Sequence, residues 1–161
     1  VQLDHLQPVV NNMVASERLW VENQLAFTKD LKPTSWFGKD AWVRVIWDAA
    51  CKNGSKVNMV DWKSGKPKAS VEQLELFAAS VLTALPDVEE VHTHLVFLEH
   101  KKYTNDVFYK SSATHIWQKF GEEAEQIQIS METGNWEPNP GWACKYCPVP
   151  KSKCSYSQVE G

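Results

Sequence analysis

The chain has 161 residues, of which 43% are hydrophobic and 23% charged, which is enough for one well-packed core and too few for two large domains. Its formal net charge of −3 and its pI near 6.0 argue against a protein that coats nucleic acid with a generally basic surface. They do not exclude an enzyme with a local basic groove. No apolar run approaches the roughly 18 residues of a membrane-spanning helix, so we expect no membrane partner.

The two ends of the chain bear on its cellular context. Val1 to Asp4 lack the basic start and apolar core of a secretory signal, and a first residue other than Met suggests a chain that begins inside a longer product. Three of the four cysteines crowd the C-terminus as Cys144-x2-Cys147-x6-Cys154. Without a secretory signal, such a cluster is more typical of a metal site or free thiols than of disulfides, so we predict a cytoplasmic protein.

Hydrophobic patterning predicts a mixture of helices and strands in one domain. Apolar residues recur at three- and four-residue steps from Leu3 to Glu17, which indicates an amphipathic helix. Strands are predicted over Leu19 to Thr28 and Trp42 to Ala50, with a loop at 32–40 between them. Later elements are a helix over Val71 to Leu85, strands over His92 to Leu98 and Val107 to Tyr109, and a helix over Thr114 to Glu132. The strand, helix, strand order predicts a right-handed crossover and a mixed sheet.

The dipeptide Asn53-Gly54 predicts a two-residue hairpin turn with positive φ at both positions. Such a turn pairs Lys52 with Ser55. It also sets the pairs further along the two strands, which are Asp48 with Met59, Ile46 with Asp61, and Arg44 with Lys63. Because side chains alternate between the faces of a strand, the charged members of this set, Arg44, Asp48, Asp61 and Lys63, are predicted to emerge from one face.

Two of these charged side chains have the chemistry of a metal site. Asp48 and Asp61 at diagonal cross-strand positions lie close enough for both carboxylates to bind one Mg²⁺ ion. Lys63 could orient or deprotonate a water bound to that ion. Opposed charges also occur on solvated sheet faces. Here, however, the charged residues lie at the ends of strands that consist almost entirely of apolar residues. We therefore expect metal-assisted hydrolysis of phosphodiester bonds.

Three segments in chain order resemble the PD-(D/E)XK nuclease superfamily, and most closely its RecB-like, phage-exonuclease and CRISPR-associated branch. They are Ile46-Trp47-Asp48, Val60-Asp61-Trp62-Lys63-Ser64-Gly65-Lys66 and Gln73-Leu74-Glu75-Leu76-Phe77. The resemblance implies a restriction-endonuclease-like α/β fold, with a single nuclease core at 1–135 and an irregular tail at 136–161. It further implies a metal-dependent DNA exonuclease of phage or mobile-element recombination or repair, located in the host cytoplasm if phage-encoded. A structure-specific or single-strand DNA endonuclease, and an inactive nucleic-acid-binding member, remain alternatives.

The resemblance also implies roles for individual residues. It makes Asp48 and Asp61 ligands of Mg²⁺ or Mn²⁺, with the backbone carbonyl of Trp62 as a further ligand, and it makes Lys63 the catalytic lysine. Gln73 would face the site, although Ser70-x-x-Gln73 also has the pattern of a helix capping box. Phe77 stands where the family usually has Tyr, so a hydroxyl contact is absent there.

Other residues are weaker candidates on the same grounds. Glu22 resembles an extra glutamate that phage-type exonucleases bring to the metal, and an exposed strand glutamate is equally consistent. His5 is the candidate for a histidine that several relatives place beside the metal on the N-terminal helix. Arg44, Lys66 and Lys68 are predicted to contact DNA, with an ion pair from Arg44 to Asp48 or Asp61 as the alternative.

The C-terminal cysteines resemble the closing ligands of an iron–sulfur cluster found in some relatives. Such a cluster needs four thiolates, and Cys51, beside the hairpin turn, is not where the family places its remaining ligand. The alternatives are a fourth ligand upstream of Val1, a Zn²⁺ site completed by a histidine, a disulfide, or vestigial cysteines. His92 and His94 form an H-x-H on one strand face and are predicted to be structural. The sequence makes no prediction of oligomeric state.

Overall fold

A computed structural model of the chain describes residues 3–67 and 71–157. The chain forms two compact units, Val1–Phe120 and Gly121–Gly161. The boundary between them falls within the last α-helix, so the expected nuclease core of residues 1–135 extends past the first unit. Among the described residues, no helix combines the length and the apolar character that crossing a membrane requires.

The first unit is built on one five-stranded sheet. Its strands are β1 Arg18–Phe27, β2 Val43–Asn53, β3 Lys56–Lys63, β4 Glu90–Phe97 and β5 Lys102–Tyr109. The helices of the chain are α1 Gln7–Val14, which follows a 3₁₀ turn at Asp4–Leu6, then α2 Val71–Ala84 and α3 Ala113–Thr133, with short 3₁₀ segments at Lys110–Ser112 and Trp142–Tyr146. The strands follow one another across the sheet in chain order, and only β3 and β4, joined through α2, are parallel. The predicted mixed α/β sheet with one crossover is confirmed.

The two faces of the sheet bury different clusters. On one face, α2 packs against the strands in a cluster that contains Val45, Trp47, Ala50, Val57, Met59, Phe77 and Val81. On the other face, Met13 of α1 packs with Ala49, Cys51 and Val60. Burial of these apolar side chains stabilises the sheet between the two helices and fixes which face each strand residue occupies.

The hairpin of β2 and β3 has a register two residues away from the predicted one. Asn53 pairs with Lys56, so Gly54 and Ser55 form the turn, and of these central residues only Gly54 has a positive φ, +57°. The cause is a long-range contact. The side chain of Asn53 accepts a hydrogen bond from the Glu17 N–H, and the Gly54 N–H donates to the Glu17 carboxylate. Glu17 thus holds Asn53 in the strand and moves the turn along the chain.

The observed register changes what lies opposite Asp48. The predicted pairs of Asp48 with Met59, Ile46 with Asp61 and Arg44 with Lys63 are wrong. If the observed register is continued by one residue, Asp48 lies opposite Asp61. The pairing of β2 with β3 ends just before that point, at Ala49 with Val60. Beyond that point β2 continues along β1 alone, and β3 continues along β4. The hairpin therefore opens at the two aspartates.

The side-chain alternation of β2 also shifts at Asp48. Trp47 packs on the α2 face, yet beyond Asp48 it is Ala50 that packs there, while Ala49 packs on the α1 face. In the adjacent strand, Glu22 has φ +49°, and the pairing of β1 with β2 skips the level of Glu22 and Asp48. A local irregularity of this kind bends a strand and redirects its side chains. The alternation rule cannot be carried through Asp48.

The indole of Trp47 makes a buried hydrogen bond that generates a stability prediction. Its Nε1–H donates to Ser80 Oγ at 2.9 Å, and both residues are almost completely buried. Ser80→Ala leaves this donor without a partner and should lower the free energy of unfolding by about 1–3 kcal/mol. In a Trp47→Phe background, which has no such donor, the same substitution should have a smaller effect. Urea denaturation of the four proteins measures the difference, and equal losses in both backgrounds would contradict it.

Candidate active site

Asp61 is a buried acid in a largely apolar strand, with 7% of its side chain exposed. Gln73 of α2 donates its Nε2–H to Asp61 Oδ1 at 3.0 Å, and the Lys63 ammonium lies 2.6 Å from Oδ2. Apart from this ammonium, Oδ2 is buried without a hydrogen-bond partner. Carboxylate oxygens are the ligands that a hard cation prefers.

Asp48 lies at the point where the two hairpin strands part. Its Oδ2 accepts a hydrogen bond from the Trp62 backbone N–H at 2.9 Å. This contact replaces the main-chain pairing that ends one residue earlier, and it brings the carboxylate of Asp48 beside the residue that precedes Trp62, which is Asp61. The two acids are thereby held at the same end of the hairpin.

The pKa of Asp61 is raised above its ordinary value. Burial is the largest cause, because it removes water from the charged form; the Lys63 ammonium opposes this effect and the Asp48 carboxylate adds to it. A divalent cation between the two acids would compensate both the lost hydration and the repulsion. The residues present therefore fit a metal ion.

The described residues contain no third protein side chain for this metal. No group of three His, Cys, Asp or Glu side chains there is close enough to hold one ion. Glu22 lies at the level of Asp48 in the strand register, but it is exposed. His5 lies on the α1 side of the sheet, where it lines a cavity of about 560 Å³. Mg²⁺ commonly binds one or two carboxylates and keeps several waters, so two acids and a backbone carbonyl are a sufficient protein donor set.

Gln73 contacts Asp61, whereas the resemblance implied only that it faces the site. Its alternative explanation, a capping box with Ser70, involves a residue outside the described part of the chain. Phe77, one turn further along α2, is 8% exposed and packs in the core cluster, as expected for a residue that keeps only the packing of a tyrosine. The catalytic role of Gln73 stays a prediction.

The basic candidates are dispersed. Because Val45 and Trp47 face α2, Arg44 faces away from α2, whereas Asp61 faces it, so the predicted single face for the charged residues is wrong for Arg44. In place of the alternative ion pair with Asp48 or Asp61, Arg44 makes a hydrogen bond to the loop: its Nε–H donates to the Trp36 carbonyl at 2.6 Å. Lys66 is exposed just beyond β3, and Lys68 lies outside the described residues.

The cysteine and histidine candidates occupy separate places. Cys144, Cys147 and Cys154 are free thiols in the second unit, and no metal-binding group of three side chains is formed by them in the described residues. Cys51 is buried on the α1 face. On β4, the His92 ring contacts the Glu90 carboxylate, and half-buried His94 has its pKa lowered, mainly by burial.

Sequence reasoning missed one feature near the site, the loop between β1 and β2. It was predicted only as a connection over residues 32–40, but it contacts β2 through the Arg44 side chain. The available signal was the pair of adjacent aromatic residues, Trp36-Phe37, within a segment that otherwise has the composition of a surface loop.

Comparison with known proteins identifies the family of the chain. The sequence profile of the PD-(D/E)XK nuclease superfamily matches residues 10–154, so the chain belongs to the PD-(D/E)XK nuclease superfamily. The superfamily resemblance and the restriction-endonuclease-like α/β fold are confirmed. No curated protein matches the sequence. A solved structure titled "Crystal structure of SSO0001" aligns over 89% of this chain and 62% of that one, with 15% identity and a TM-score of 0.40.

The raised pKa of Asp61 generates a pH-dependent stability prediction. Because the folded state binds the Asp61 proton more tightly than the unfolded state, stability falls as the pH rises from the ordinary pKa of an aspartate to the raised pKa of folded Asp61. Asp61→Asn removes that charge at nearly constant volume. In the presence of a chelator this substitution should raise the Tm at pH 7. The difference in Tm between the variant and the wild type should shrink as the pH falls from the raised pKa of folded Asp61 to below the ordinary pKa of an aspartate.

Asp87→Asn is the matched control, since Asp87 is exposed and its pKa is lowered, chiefly by a hydrogen bond from Lys52. It should leave the Tm at pH 7 unchanged or slightly reduced. Thermal unfolding by circular dichroism between pH 3 and pH 7, roughly the range over which carboxyl groups titrate, makes the comparison. A lower Tm for Asp61→Asn than for the wild type at pH 7 would contradict the assignment of Asp61 as an acid destabilised by burial.

Proposed function

We propose that the protein is a metal-dependent DNA exonuclease that hydrolyses phosphodiester bonds with Mg²⁺ or Mn²⁺. One observation carries the proposal: where β2 and β3 part, the buried carboxylate of Asp61 contacts the Lys63 ammonium and the Gln73 amide. The Asp48 carboxylate is held beside it, on the backbone N–H of Trp62. Membership of a nuclease superfamily makes nucleic acid the substrate class. The preference for DNA rests on the likeness of the three motifs to the phage-exonuclease branch.

A divalent cation held by Asp48 and Asp61 would neutralise phosphate charge and lower the pKa of a bound water. The residues of the chain supply the remaining functions. The Lys63 ammonium, one-third exposed at the surface of the site, can hydrogen-bond an attacking water or a phosphate oxygen and stabilise the negative charge that develops there. The Gln73 amide fixes Asp61, and the Trp62 N–H fixes Asp48. Both carboxylates are thus oriented in advance, which limits the reorganisation needed during reaction.

The biological setting that we propose is recombination or repair in a phage or mobile element, within the cytoplasm. A DNA endonuclease with the same site and an inactive nucleic-acid-binding protein are the alternatives. The contact between Asp61 and Lys63, with Asp48 near enough to influence the pKa of Asp61, argues against the inactive alternative, because a binder has no need of a buried acid whose ionisation is unfavourable.

Removal of Lys63 should separate catalysis from binding. Lys63→Ala should reduce kcat by about 100-fold or more, as is typical when a positioned proton-transfer or charge-stabilising group is lost, with little change in KM. Lys56→Ala is the matched control, because Lys56 lies at the opposite end of the same strand and pairs with Glu90. Steady-state cleavage of a linear duplex in Mg²⁺ provides the measurement. If both variants retain wild-type kcat, Lys63 is not part of the catalytic site.

Substrate topology should separate the two enzyme proposals. An exonuclease degrades linear DNA and leaves covalently closed circles intact, whereas an endonuclease nicks the circles. We expect loss of the linear substrate alone in Mg²⁺ or Mn²⁺, and no cleavage by Asp61→Ala or Asp48→Ala. Agarose gel electrophoresis of both substrates distinguishes the outcomes. Nicked circles would favour the endonuclease, and cleavage of neither substrate would favour the inactive alternative.

A further inference from the structure

The loop between β1 and β2 is held in a defined shape. At its base, the Trp42 N–H donates to the Phe27 carbonyl and the Thr34 N–H donates to the Ala26 carbonyl, both at 2.9 Å. Across its tip, the Thr34 hydroxyl donates to the Asp40 carboxylate at 2.8 Å. These bonds hold the backbone of the loop in one conformation, so its tip is placed by the fold.

Gly38 shows how tightly the tip is closed. A Cβ atom there would lie 2.7 Å from Asp40 Oδ1 and 2.9 Å from Thr34 Oγ1, so no side chain fits without displacing these atoms. The neighbouring Phe37 is left outside, with 88% of its surface exposed, more than any other large apolar residue in the described part of the chain.

Basic residues flank this exposed ring in the sequence. Residues 28–44 carry four exposed cations, Lys29, Lys32, Lys39 and Arg44, against two carboxylates, Asp30 and Asp40. The Asp40 carboxylate is already occupied by the Thr34 hydroxyl. The segment is therefore locally positive in a chain whose net charge is −3. Exposed aromatic rings among basic side chains are typical of surfaces that bind single-stranded nucleic acid.

The loop is connected to the strand that carries Asp48. The Arg44 side chain donates to the Trp36 carbonyl, and Arg44 precedes Asp48 by four residues on β2. At about 3.3 Å per residue, this corresponds to about 13 Å along the strand, or about four stacked nucleotides at about 3.4 Å each. Over this stretch β2 has no pairing with β3. The loop is thus joined to the strand position of Asp48 by a segment of β2 that is unpaired on that side.

We propose that Phe37 stacks on an unpaired base of the single-stranded nucleic acid that the enzyme cleaves, with Lys39 beside its phosphates. The inference rests on the proposed function and specifies its substrate class as a single strand or an unpaired duplex end. Stacking tolerates any base, because every base presents a π face, so Phe37 would select for strand separation rather than for sequence.

Binding of a fluorescein-labelled single-stranded DNA oligonucleotide in Ca²⁺, followed by fluorescence anisotropy, tests the contact. Phe37→Ala should weaken binding at least about fivefold, and Phe37→Trp, which keeps a stacking surface, should bind like the wild type. Tyr103→Ala is the matched control, because Tyr103 is 72% exposed on β5, at the opposite edge of the sheet from β1. It should bind like the wild type. Unchanged binding by Phe37→Ala, or an equal loss in Tyr103→Ala, would overturn the inference.

An abasic scan of the same oligonucleotide identifies the stacked base. One position should exist at which removal of the base weakens binding to the wild type but not to Phe37→Ala. Equal effects at every position in both proteins would refute stacking by Phe37. Cleavage assays keep this result separate from the proposed function: Phe37-dependent binding without any cleavage refutes the nuclease activity alone, whereas cleavage with Phe37-independent binding refutes the stacking alone.

Discussion

The hydrogen bond from the Trp62 backbone N–H to the Asp48 carboxylate stands where the main-chain pairing of β2 and β3 stops. A backbone N–H at the inner edge of a parting hairpin needs a partner, and a side-chain carboxylate supplies it here. The same contact positions Asp48 next to the strand that carries Asp61. The opening of the sheet and the assembly of the site are therefore consequences of one local interaction.

The site formed in this way holds an acid whose ionisation is unfavourable. Asp61 is enclosed by apolar strand residues, and its neighbours compensate incompletely: Lys63 offsets part of its charge, and Gln73 satisfies one of its two oxygens. Local instability of this kind is frequent at functional sites, where side chains are arranged for a ligand or a reaction rather than for the resting protein. A divalent cation is the ligand whose charge would balance the two acids.

The order and type of the main elements could be predicted from local patterns, because apolar periodicity is a property of each segment. The three motifs likewise led to Asp48, Asp61, Lys63 and Gln73, whose contacts the structure contains. The register of the hairpin could not be predicted, since it depends on Glu17, more than thirty positions away from the turn. The polar first half of β5 was missed because an exposed edge strand needs little apolar alternation.

The prediction of the orientation of Arg44 was wrong for a different reason. The alternation rule assumes an unbroken strand, and β2 shifts its alternation at Asp48, beside a Glu22 residue with positive φ. No local sequence signal marks that irregularity. The irregularity lies next to the two acids, and strand irregularities generally tend to lie beside functional sites. The failure of the alternation rule at Asp48 was therefore informative about the position of the site.

Anomalous diffraction from crystals soaked in Mn²⁺ would locate the bound cation directly. The parting of β2 and β3 predicts a strong manganese peak in contact with the carboxylates of both Asp48 and Asp61, and its loss in Asp61→Asn. A peak elsewhere on the protein at saturating Mn²⁺, with none between these two carboxylates, would contradict the claim that this break in the sheet creates the metal site.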